Sequence, residues 1–248
     1  MQLSNLFSKT LACLFLLTLL VACDTDSSPQ ATAQSTDTSQ AVEANSEQNN
    51  AAPQSATATS SAEADLADKF TVLENPITVS TGDKIEVTEL FWYGCGHCFA
   101  LEPFVKSWLE DKPESAEFVK IPAIFSSSWA FHGQAFYTME ALGVLDEAND
   151  AFFHQIHVVR KPINDLNALV LFLSNYGKTE QEVTSAFNSF EVDTKLRYAT
   201  TITKQSSATG VPAILVDGKY LTSVGQAGGQ AELFEVIDEL VAKAATER

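Results

Sequence analysis

The sequence between residues 24 and 65 contains no basic and no aromatic side chain. Serine, threonine, alanine, glutamine and asparagine supply most of it, and its only charges are carboxylates. These are Asp24, Asp26, Asp37, Glu43, Glu47, Glu63 and Asp65. A segment this poor in apolar side chains cannot bury enough surface to offset the entropy lost on ordering. The composition therefore argues against a folded unit and predicts a disordered acidic tether over residues 23–67.

Basic residues are scarce in the whole chain, which has 15 lysine and arginine residues against 32 aspartate and glutamate residues. The formal net charge is −17, and the acids of the tether account for only part of it. Residues 66–248 alone hold 25 acidic and 14 basic residues. Because proteins bind nucleic acids largely by neutralising phosphates, this balance argues against a nucleic-acid partner.

Cysteine is also scarce, with four residues in the chain. Residues 1–22 carry one charge, Lys9, and then an apolar run from Leu11 to Ala22. That run is short for a membrane span and typical of a signal-peptide core. It ends in Leu20-Val21-Ala22-Cys23, which resembles the lipobox of bacterial lipoproteins, whose cysteine is lipidated and becomes the mature N terminus. We predict a lipoprotein-type signal peptide over 1–22 and lipidation of Cys23; an ordinary secretory signal and an uncleaved anchor are the alternatives.

This assignment leaves few thiols. Cys13 leaves with the signal and Cys23 carries lipid, so only Cys95 and Cys98 remain and there is no framework of structural disulfides. Export implies an oxidising compartment outside the cytoplasm. Asp24 resembles the residue that retains some lipoproteins at the inner membrane. We therefore expect a lipid-anchored protein on the periplasmic side of a bacterial membrane, the inner membrane rather than the outer.

The two remaining cysteines form the motif Cys95-Gly96-His97-Cys98, between an alternating apolar run and a helical pattern over 99–112. A CxxC motif where a strand turns into a helix is typical of a thioredoxin-like redox site. On the first turn of a helix the sulfurs can approach bonding distance, and Cys95 faces free N–H groups and the positive end of the helix dipole. Both favour the reactive thiolate, and a protonated His97 can stabilise it further.

The motif has two other interpretations. A zinc site requires four ligands, commonly two such pairs, and no second pair exists. His132, His154 and His157 could be recruited, but nothing in their spacing suggests it. A structural disulfide would close a very short loop and stabilise the fold little. A redox-active dithiol is the favoured interpretation, with no metal and no cofactor predicted.

The rest of the chain has an α/β pattern, with strands at both ends and a helical block between them. Strands are predicted at 70–73, 84–92 and 117–121, and a hairpin at 213–223 turns at Asp217-Gly218. The helices after the CxxC helix are predicted to begin at Trp129, at Asp146, at the cap Asn164, at the capping box Thr179–Glu182 and at Val192, and the last spans Gln230 to Ala245. On the CxxC helix, Phe99, Phe104 and Trp108 are expected in the core.

Together these features resemble the DsbA family of thiol–disulfide oxidoreductases, over about residues 68–248. The resemblance rests on the CxxC motif after an apolar strand, the inserted helices, and Thr209-Gly210-Val211-Pro212 before the hairpin. It implies a thioredoxin-like domain over 68–125 and 206–248, with an all-helical insertion over 126–205. The insertion shows no chemistry of its own, and we expect it to shape the substrate surface.

The resemblance also assigns further site residues. It implies that Pro212 is a cis-proline opposite the cysteines; cis bonds are almost confined to X–Pro. Val211, Pro212 and Gly96 are then expected to bind an extended substrate, with Val211 offering backbone groups as in strand addition.

Two acids match positions that, in the family, lie beneath the dithiol and assist proton movement to and from the inner cysteine. Glu89 lies six residues before Cys95, inside a predicted buried strand, and Glu102 lies seven residues after it. A carboxylate in a central strand is costly unless it is functional or paired. The alternative is an acid on an exposed edge strand.

The best-known family members carry Pro-His in the motif, whereas this chain has Gly96-His97. The resemblance implies a dithiol oxidase that donates its Cys95–Cys98 disulfide to reduced secreted proteins and is regenerated by a quinone-linked membrane protein of the DsbB type. A reductase or isomerase of the same fold is the nearest alternative, and a membrane-tethered metal-binding module is a distant one. Trp92 and Tyr93 are assigned to packing and the rim of the site.

Overall fold

The computed structural model describes residue 66 and residues 68–248. Within that range the strands form one sheet, and they are β1 (Thr71–Val72), β2 (Ile85–Phe91), β3 (Ala116–Pro122), β4 (Ala213–Val216) and β5 (Tyr220–Thr222). Their order across the sheet is β1-β5-β4-β2-β3, with β2 and β3 parallel and the other neighbours antiparallel. The predicted signal peptide, Cys23 and nearly all of the tether lie outside the described residues.

One helix follows β2, a block of helices separates β3 from β4, and two helices close the chain. In order they are α1 (Gly96–Asp111), α2 (Ser127–Ala141), α3 (Leu145–His157), α4 (Leu166–Ser174), α5 (Glu180–Phe187), α6 (Phe190–Gln205), α7 (Val224–Ala227) and α8 (Gln230–Thr246). In the part of the chain that the structure describes, no helix is both long and apolar enough to cross a membrane. The fold is the predicted α/β class with inserted helices.

Strand β2, which lies between β4 and β3 in the sheet, is buried along its whole length and contributes to both parts of the core. Ile85 and Val87 pack with α1 and α8, whereas Leu90 and Phe91 pack with the helices between β3 and β4. The strand therefore ends within the part of the core that it shares with the inserted helices, where Cys98 is also buried. This position places the CxxC motif between the sheet and the inserted helices.

Two local predictions from turn and cap chemistry are confirmed. Asp217 and Gly218 both have left-handed backbone conformations, with φ of 53° and 63°, as a tight hairpin between β4 and β5 requires. A Cβ atom on Gly218 would lie 2.1 Å from the carbonyl oxygen of Ile77, so glycine is also required for space. Thr179 and Glu182 form the predicted capping box at the start of α5.

Two other local predictions are wrong. Asp165, not Asn164, caps α4, because its carboxylate accepts a hydrogen bond from the Ala168 amide at 2.8 Å. Phe104 is 37% exposed, since Leu101, Val105 and Trp108 occupy the buried face of α1. The short helix α7, which Ser223 caps, was not predicted.

Candidate active site

The sulfur of Cys95 caps the helix that carries both cysteines. Cys95 is the N-cap residue of α1, with an extended backbone (φ −89°, ψ 116°), and its Sγ accepts a hydrogen bond from the Cys98 amide at 3.2 Å. Cys98 is fully buried, whereas Cys95 is partly exposed, and the two thiols are not joined in the structure. The outer sulfur is therefore the one that a second protein can reach.

The surroundings of the two thiols drive their acidities apart. A hydrogen bond from the Cys98 thiol, backbone N–H groups of Cys98 and His97, and the charge of His97 outweigh burial and lower the pKa of Cys95 to about 6. Burial, followed by the hydrogen bond to Cys95, raises the pKa of Cys98 far above that of an ordinary thiol. Near pH 7 the outer sulfur is largely a thiolate and the inner one a thiol.

The loop before β4 lies against the outer sulfur. The Val211–Pro212 peptide bond is cis, as the resemblance implies, and the Val211 carbonyl oxygen lies 3.5 Å from Cys95 Sγ. A cavity of about 770 Å³ adjoins this loop. Its lining includes His97, residues 207–213 and residues 221–226. The structure thus brings Cys95, His97, Val211 and Pro212 together at the edge of this cavity, with the exposed Gly96 beside them.

Glu89 lies on β2, which has a strand on each side, and is fully buried, so the alternative of an acid on an exposed edge is wrong. It sits directly across from Lys120 of β3, whose Nζ is 3.4 Å from Glu89 Oε2. Neither carboxylate oxygen of Glu89 accepts a hydrogen bond from a described residue. Burial raises the pKa of Glu89 to about 7 although Lys120 opposes the shift. Glu89 can therefore gain or lose a proton near neutrality.

Glu102 approaches the same lysine from α1. Lys120 Nζ donates a hydrogen bond to Glu102 Oε1, and Glu102 is almost completely buried. The ammonium also lies 5.1 Å from the ring centroid of Phe91 and 5.7 Å from that of Phe153. Burial opposes the charge on Lys120, but Glu89 and Glu102 raise its pKa. One buried cation thus pairs with two carboxylates, and one of these, Glu89, interacts electrostatically with both cysteines.

Two histidines named as possible metal ligands have other contacts. His157 Nε2 donates to the Tyr93 carbonyl oxygen at 2.8 Å, and its ring stacks on Phe99 at 5.1 Å between centroids. His132 Nε2 lies 3.1 Å from the carbonyl oxygen of Ile163. Over residues 68–248 no group of three histidine, cysteine or acidic side chains is arranged to hold a metal ion.

Comparisons with known proteins agree with this geometry. A family model described as a DSBA-like thioredoxin domain matches residues 122–235. The thiol:disulfide interchange protein DsbA of Pseudomonas aeruginosa is 38% identical over 175 residues, which cover 71% of this chain and 83% of the relative. The chain belongs to the DsbA family. It is accordingly a thiol:disulfide oxidoreductase.

Other members of the DsbA family extend the comparison. DsbA of Burkholderia cepacia is 31% identical over 173 residues, covering 69% of this chain and 82% of the relative. The crystal structure of Pseudomonas aeruginosa DsbA aligns with a TM-score of 0.69 at 37% identity, covering 73% of this chain and 96% of that one. The likeness thus spans the sheet and the inserted helices alike.

Sequence reasoning missed two residues of this DsbA-family site: Lys120, which pairs with both buried acids, and Asn149, which contacts Glu102 from α3. Tyr93 packs in the core, as one part of its assignment expected, but it is not at a rim, and its hydrogen bond to Asn149 was not foreseen. A signal existed for Lys120, because a lysine inside an otherwise apolar strand requires a buried partner. No comparable signal identified Asn149, since its partners lie 47 and 56 residues away in sequence.

Gly96, the departure from Pro-His, occupies a position that accepts proline. It is the first residue of α1, where the amide has no acceptor within the helix. A Cβ atom there would meet no atom within 4 Å, and the extended backbone of Cys95 suits a residue before proline.

We predict that Gly96→Pro raises the free energy of unfolding by about 0.4–1 kcal/mol, because proline restricts the unfolded chain without straining the folded one. Urea denaturation of the oxidised and reduced proteins measures this. Gly96→Ala, which lacks the ring, serves as the matched control and should gain less. A lower stability for Gly96→Pro than for wild type would mean that the first turn of α1 does not accept proline.

We predict that Glu89→Gln changes the pH dependence of stability. Since burial raises the pKa of Glu89 from 4.5 to about 7, the folded wild type binds a proton that the unfolded chain lacks between these values. The stability of the wild type must therefore fall as the pH rises from 4.5 to about 7, and Glu89 causes no further loss of stability at higher pH. The variant lacks the titration, so its stability relative to wild type should rise by about 1–3 kcal/mol between pH 4.5 and 7.5.

Urea denaturation of the reduced proteins at several pH values tests the prediction for Glu89. Glu117→Gln removes an exposed carboxyl from β3 and should show no such rise. If the difference in the free energy of unfolding between Glu89→Gln and wild type is the same at pH 5 and pH 8, burial does not raise the pKa of Glu89.

Proposed function

We propose that this DsbA-family protein is a dithiol oxidase that donates its Cys95–Cys98 disulfide to reduced secreted proteins. The observation that carries the proposal is the hydrogen bond of 3.2 Å from the Cys98 amide to Cys95 Sγ at the start of α1, which stabilises the outer thiolate and contributes to a pKa of about 6. Whatever stabilises the reduced form makes the disulfide a stronger oxidant. A partly exposed outer sulfur beside a fully buried inner one also fixes which of the two a client attacks.

The reaction consists of two thiol–disulfide exchanges. A client thiolate attacks Cys95 Sγ, the Cys95–Cys98 bond breaks, and Cys98 leaves as a thiolate. A second client thiolate then attacks the client sulfur of the mixed disulfide, and Cys95 leaves as a thiolate. The client loses two electrons and forms a disulfide, while the enzyme retains them as a dithiol. Of the two protons that the client thiols give up, one ends on Cys98 and the other passes to solvent.

Protonation of the departing Cys98 needs a donor, because burial raises the pKa of this thiol so far. Glu89 interacts electrostatically with Cys98, and its own pKa is raised to about 7. We assign Glu89 as the group that gives this proton and takes it back on reoxidation, with Glu102 and Lys120 balancing its charge. The match of its pKa to the working pH is what proton exchange requires.

Clients would bind across the surface formed by Gly96, Val211 and Pro212 at the edge of the cavity. The Val211 carbonyl oxygen, 3.5 Å from Cys95 Sγ, can accept a backbone hydrogen bond from an extended client segment. Among the described residues, those lining the adjoining cavity of about 770 Å³ include no aspartate, glutamate, lysine or arginine, so it suits polypeptides of varied sequence.

Several finer assignments belong to the same proposal. The chain divides into a thioredoxin-like domain over 68–125 and 206–248 and a helical insertion over 126–205. Cys23 carries the lipid, residues 23–67 tether the domain, and the enzyme works on the periplasmic side of a membrane, preferably the inner one. A quinone-linked partner of the DsbB type reoxidises it there, and shared attachment to one membrane raises the effective concentration of the two proteins.

The first test is the reduction potential of the Cys95–Cys98 pair, from equilibration with glutathione buffers. The oxidase proposal expects about −180 mV or higher, where the reduced form is favoured. A value near about −270 mV would match a thioredoxin-like reductant and would replace the proposal with the reductase or isomerase alternative. Cys95→Ser is the control and should form no disulfide in a reduced client. A stoichiometric metal ion in purified protein would instead favour the metal-binding alternative.

A second test concerns the anchor. Cys23→Ala removes the residue proposed to carry lipid, so we expect the protein to move from the membrane fraction to the soluble fraction of the periplasm. Immunoblotting of the two fractions measures the shift. Asp24→Ala, which keeps the cysteine, is the control for membrane attachment. Retention of Cys23→Ala in the membrane fraction would indicate an uncleaved anchor instead.

A further inference from the structure

A hydrogen-bonded chain links the inserted helices to the buried acids. The hydroxyl of Tyr93, two residues before Cys95, lies 2.8 Å from Asn149 Oδ1. Asn149 belongs to α3, and its Nδ2 lies 3.4 Å from Glu102 Oε2. Glu102 in turn forms an ion pair with Lys120, whose Nζ lies 3.4 Å from Glu89 Oε2. These hydrogen bonds and ion pairs therefore connect the segment before the CxxC motif, through the inserted helix α3, to the two buried carboxylates.

Chemistry fixes the direction of each bond in this chain. An ionised carboxylate only accepts hydrogen bonds, so the Asn149 amide must turn its NH2 group toward Glu102. The amide oxygen then faces Tyr93, whose hydroxyl has to donate. Burial, followed by the nearby charges of Glu102 and Asp150, raises the pKa of Tyr93, which keeps that donor protonated. A reversed amide would place two acceptors against each other on the Glu102 side.

This arrangement treats the two carboxylates unequally. Glu102 receives one donor on each oxygen, from Lys120 on Oε1 and from Asn149 on Oε2. Glu89 shares the same lysine at 3.4 Å, but neither of its oxygens accepts a hydrogen bond from a described residue. Hydrogen bonds to the charged form of an acid favour that form. The difference between the two acids thus depends on a donor that comes from outside the sheet.

We propose that Asn149 is a positioning residue that holds Glu102 as the charged partner of Lys120 and so leaves Glu89 as the acid that exchanges a proton with Cys98. The inference rests on the proposed function only in taking Cys98 as the group that needs the proton. Among the described residues, the Asn149 side chain hydrogen-bonds to Tyr93 and Glu102 and to neither sulfur. It acts through Glu102, and it makes the inserted helices part of the proton-transfer apparatus.

Other charged groups face the pair from each element packed against it. Lys120 comes from β3, Cys95 and Cys98 interact electrostatically with Glu89, and Lys106 of α1 forms an ion pair with Asp150 of α3. Glu140 of α2 and Lys195 of α6 line a cleft that Glu102, Lys120 and Asn149 also line, and they form an ion pair with each other at 2.9 Å. Because Lys106 and Lys195 are already paired, the nearest replacement for the Asn149 donor is Lys120, which both acids already share.

The test is a carboxyl titration of the full chain by NMR, using glutamate labelled with ¹³C at the side-chain carboxyl. Glu89→Gln and Glu102→Gln identify the two signals. The sample is the disulfide-bonded protein without client, so the result does not depend on whether the enzyme runs as an oxidase or a reductase. Asn149→Leu removes the donor and keeps the volume, and Asn188→Leu removes an exposed asparagine from the end of α5 as the control.

We expect Asn149→Leu to raise the pH at the midpoint of the Glu102 titration by at least about 0.5 unit, because the charged form loses a hydrogen-bond donor. Asn188→Leu should leave it at the wild-type value. Asn149→Ser, whose hydroxyl is too short to reach Glu102, should give the same shift and takes the place of Asn149→Leu if that variant does not fold.

Two outcomes would overturn the proposal. A Glu102 midpoint within about 0.2 unit of wild type in both Asn149 variants would make Asn149 a structural residue only, whatever its effect on thermal stability. An equal rise in Asn188→Leu would show that the shift reflects a general loosening of the inserted helices. Neither outcome bears on the reduction potential, which tests the oxidase proposal separately.

Discussion

The hydrogen bond from the Cys98 amide to the sulfur of Cys95 is the interaction on which the site depends. The first turn of a helix leaves backbone N–H groups without acceptors, and in this protein a sulfur takes the place that a serine or aspartate oxygen usually fills. A thiolate accepts such bonds better than a disulfide sulfur does. The helix is therefore capped more favourably when the protein is reduced, and helix formation and redox chemistry share one interaction.

That arrangement creates a second requirement. The same helix that exposes Cys95 buries Cys98, where a negative charge is costly because no water can solvate it. Each half-reaction places or removes a charge on this inner sulfur, so a proton must be available within the protein. Under our proposal Glu89 provides it; this carboxyl is fully buried, accepts no hydrogen bond from a described residue, and has a pKa that burial raises to about 7. Lys120 limits the cost of this burial by serving two acids at once.

Much of the site could be predicted because its signals are local. The CxxC motif after an apolar strand placed both cysteines on the first turn of α1, and turn chemistry placed the hairpin at Asp217-Gly218. Glu89 stood out as a carboxylate inside an apolar strand. Lys120 could have been found by the same reasoning, but its pairing with Glu89 depends on the register of two parallel strands separated by a helix.

Residues whose role depends on packing between distant elements could not be predicted in this way. Asn149 lies on a helix of ordinary amphipathic pattern, and nothing in its neighbours indicates that it faces Glu102. Phe104 fits the apolar pattern of α1 as well as Val105 does, yet it is exposed, because the direction of the helix on the sheet decides which side is covered. The cap of α4 differed by one residue, since Asn164 and Asp165 both favour that position.

The inserted helices also hold the segment that leads into the motif. Trp129 of α2 stacks on Trp92 at 4.3 Å between centroids, and His157 of α3 donates to the Tyr93 carbonyl oxygen. The ring of Trp92 lies so close to Gly94 that a Cβ atom there would fall 2.3 Å from it. Glycine is therefore required by the packing of an inserted helix against the chain one residue before Cys95. The insertion, which shows no chemistry in its sequence pattern, fixes the backbone from which the reactive sulfur projects.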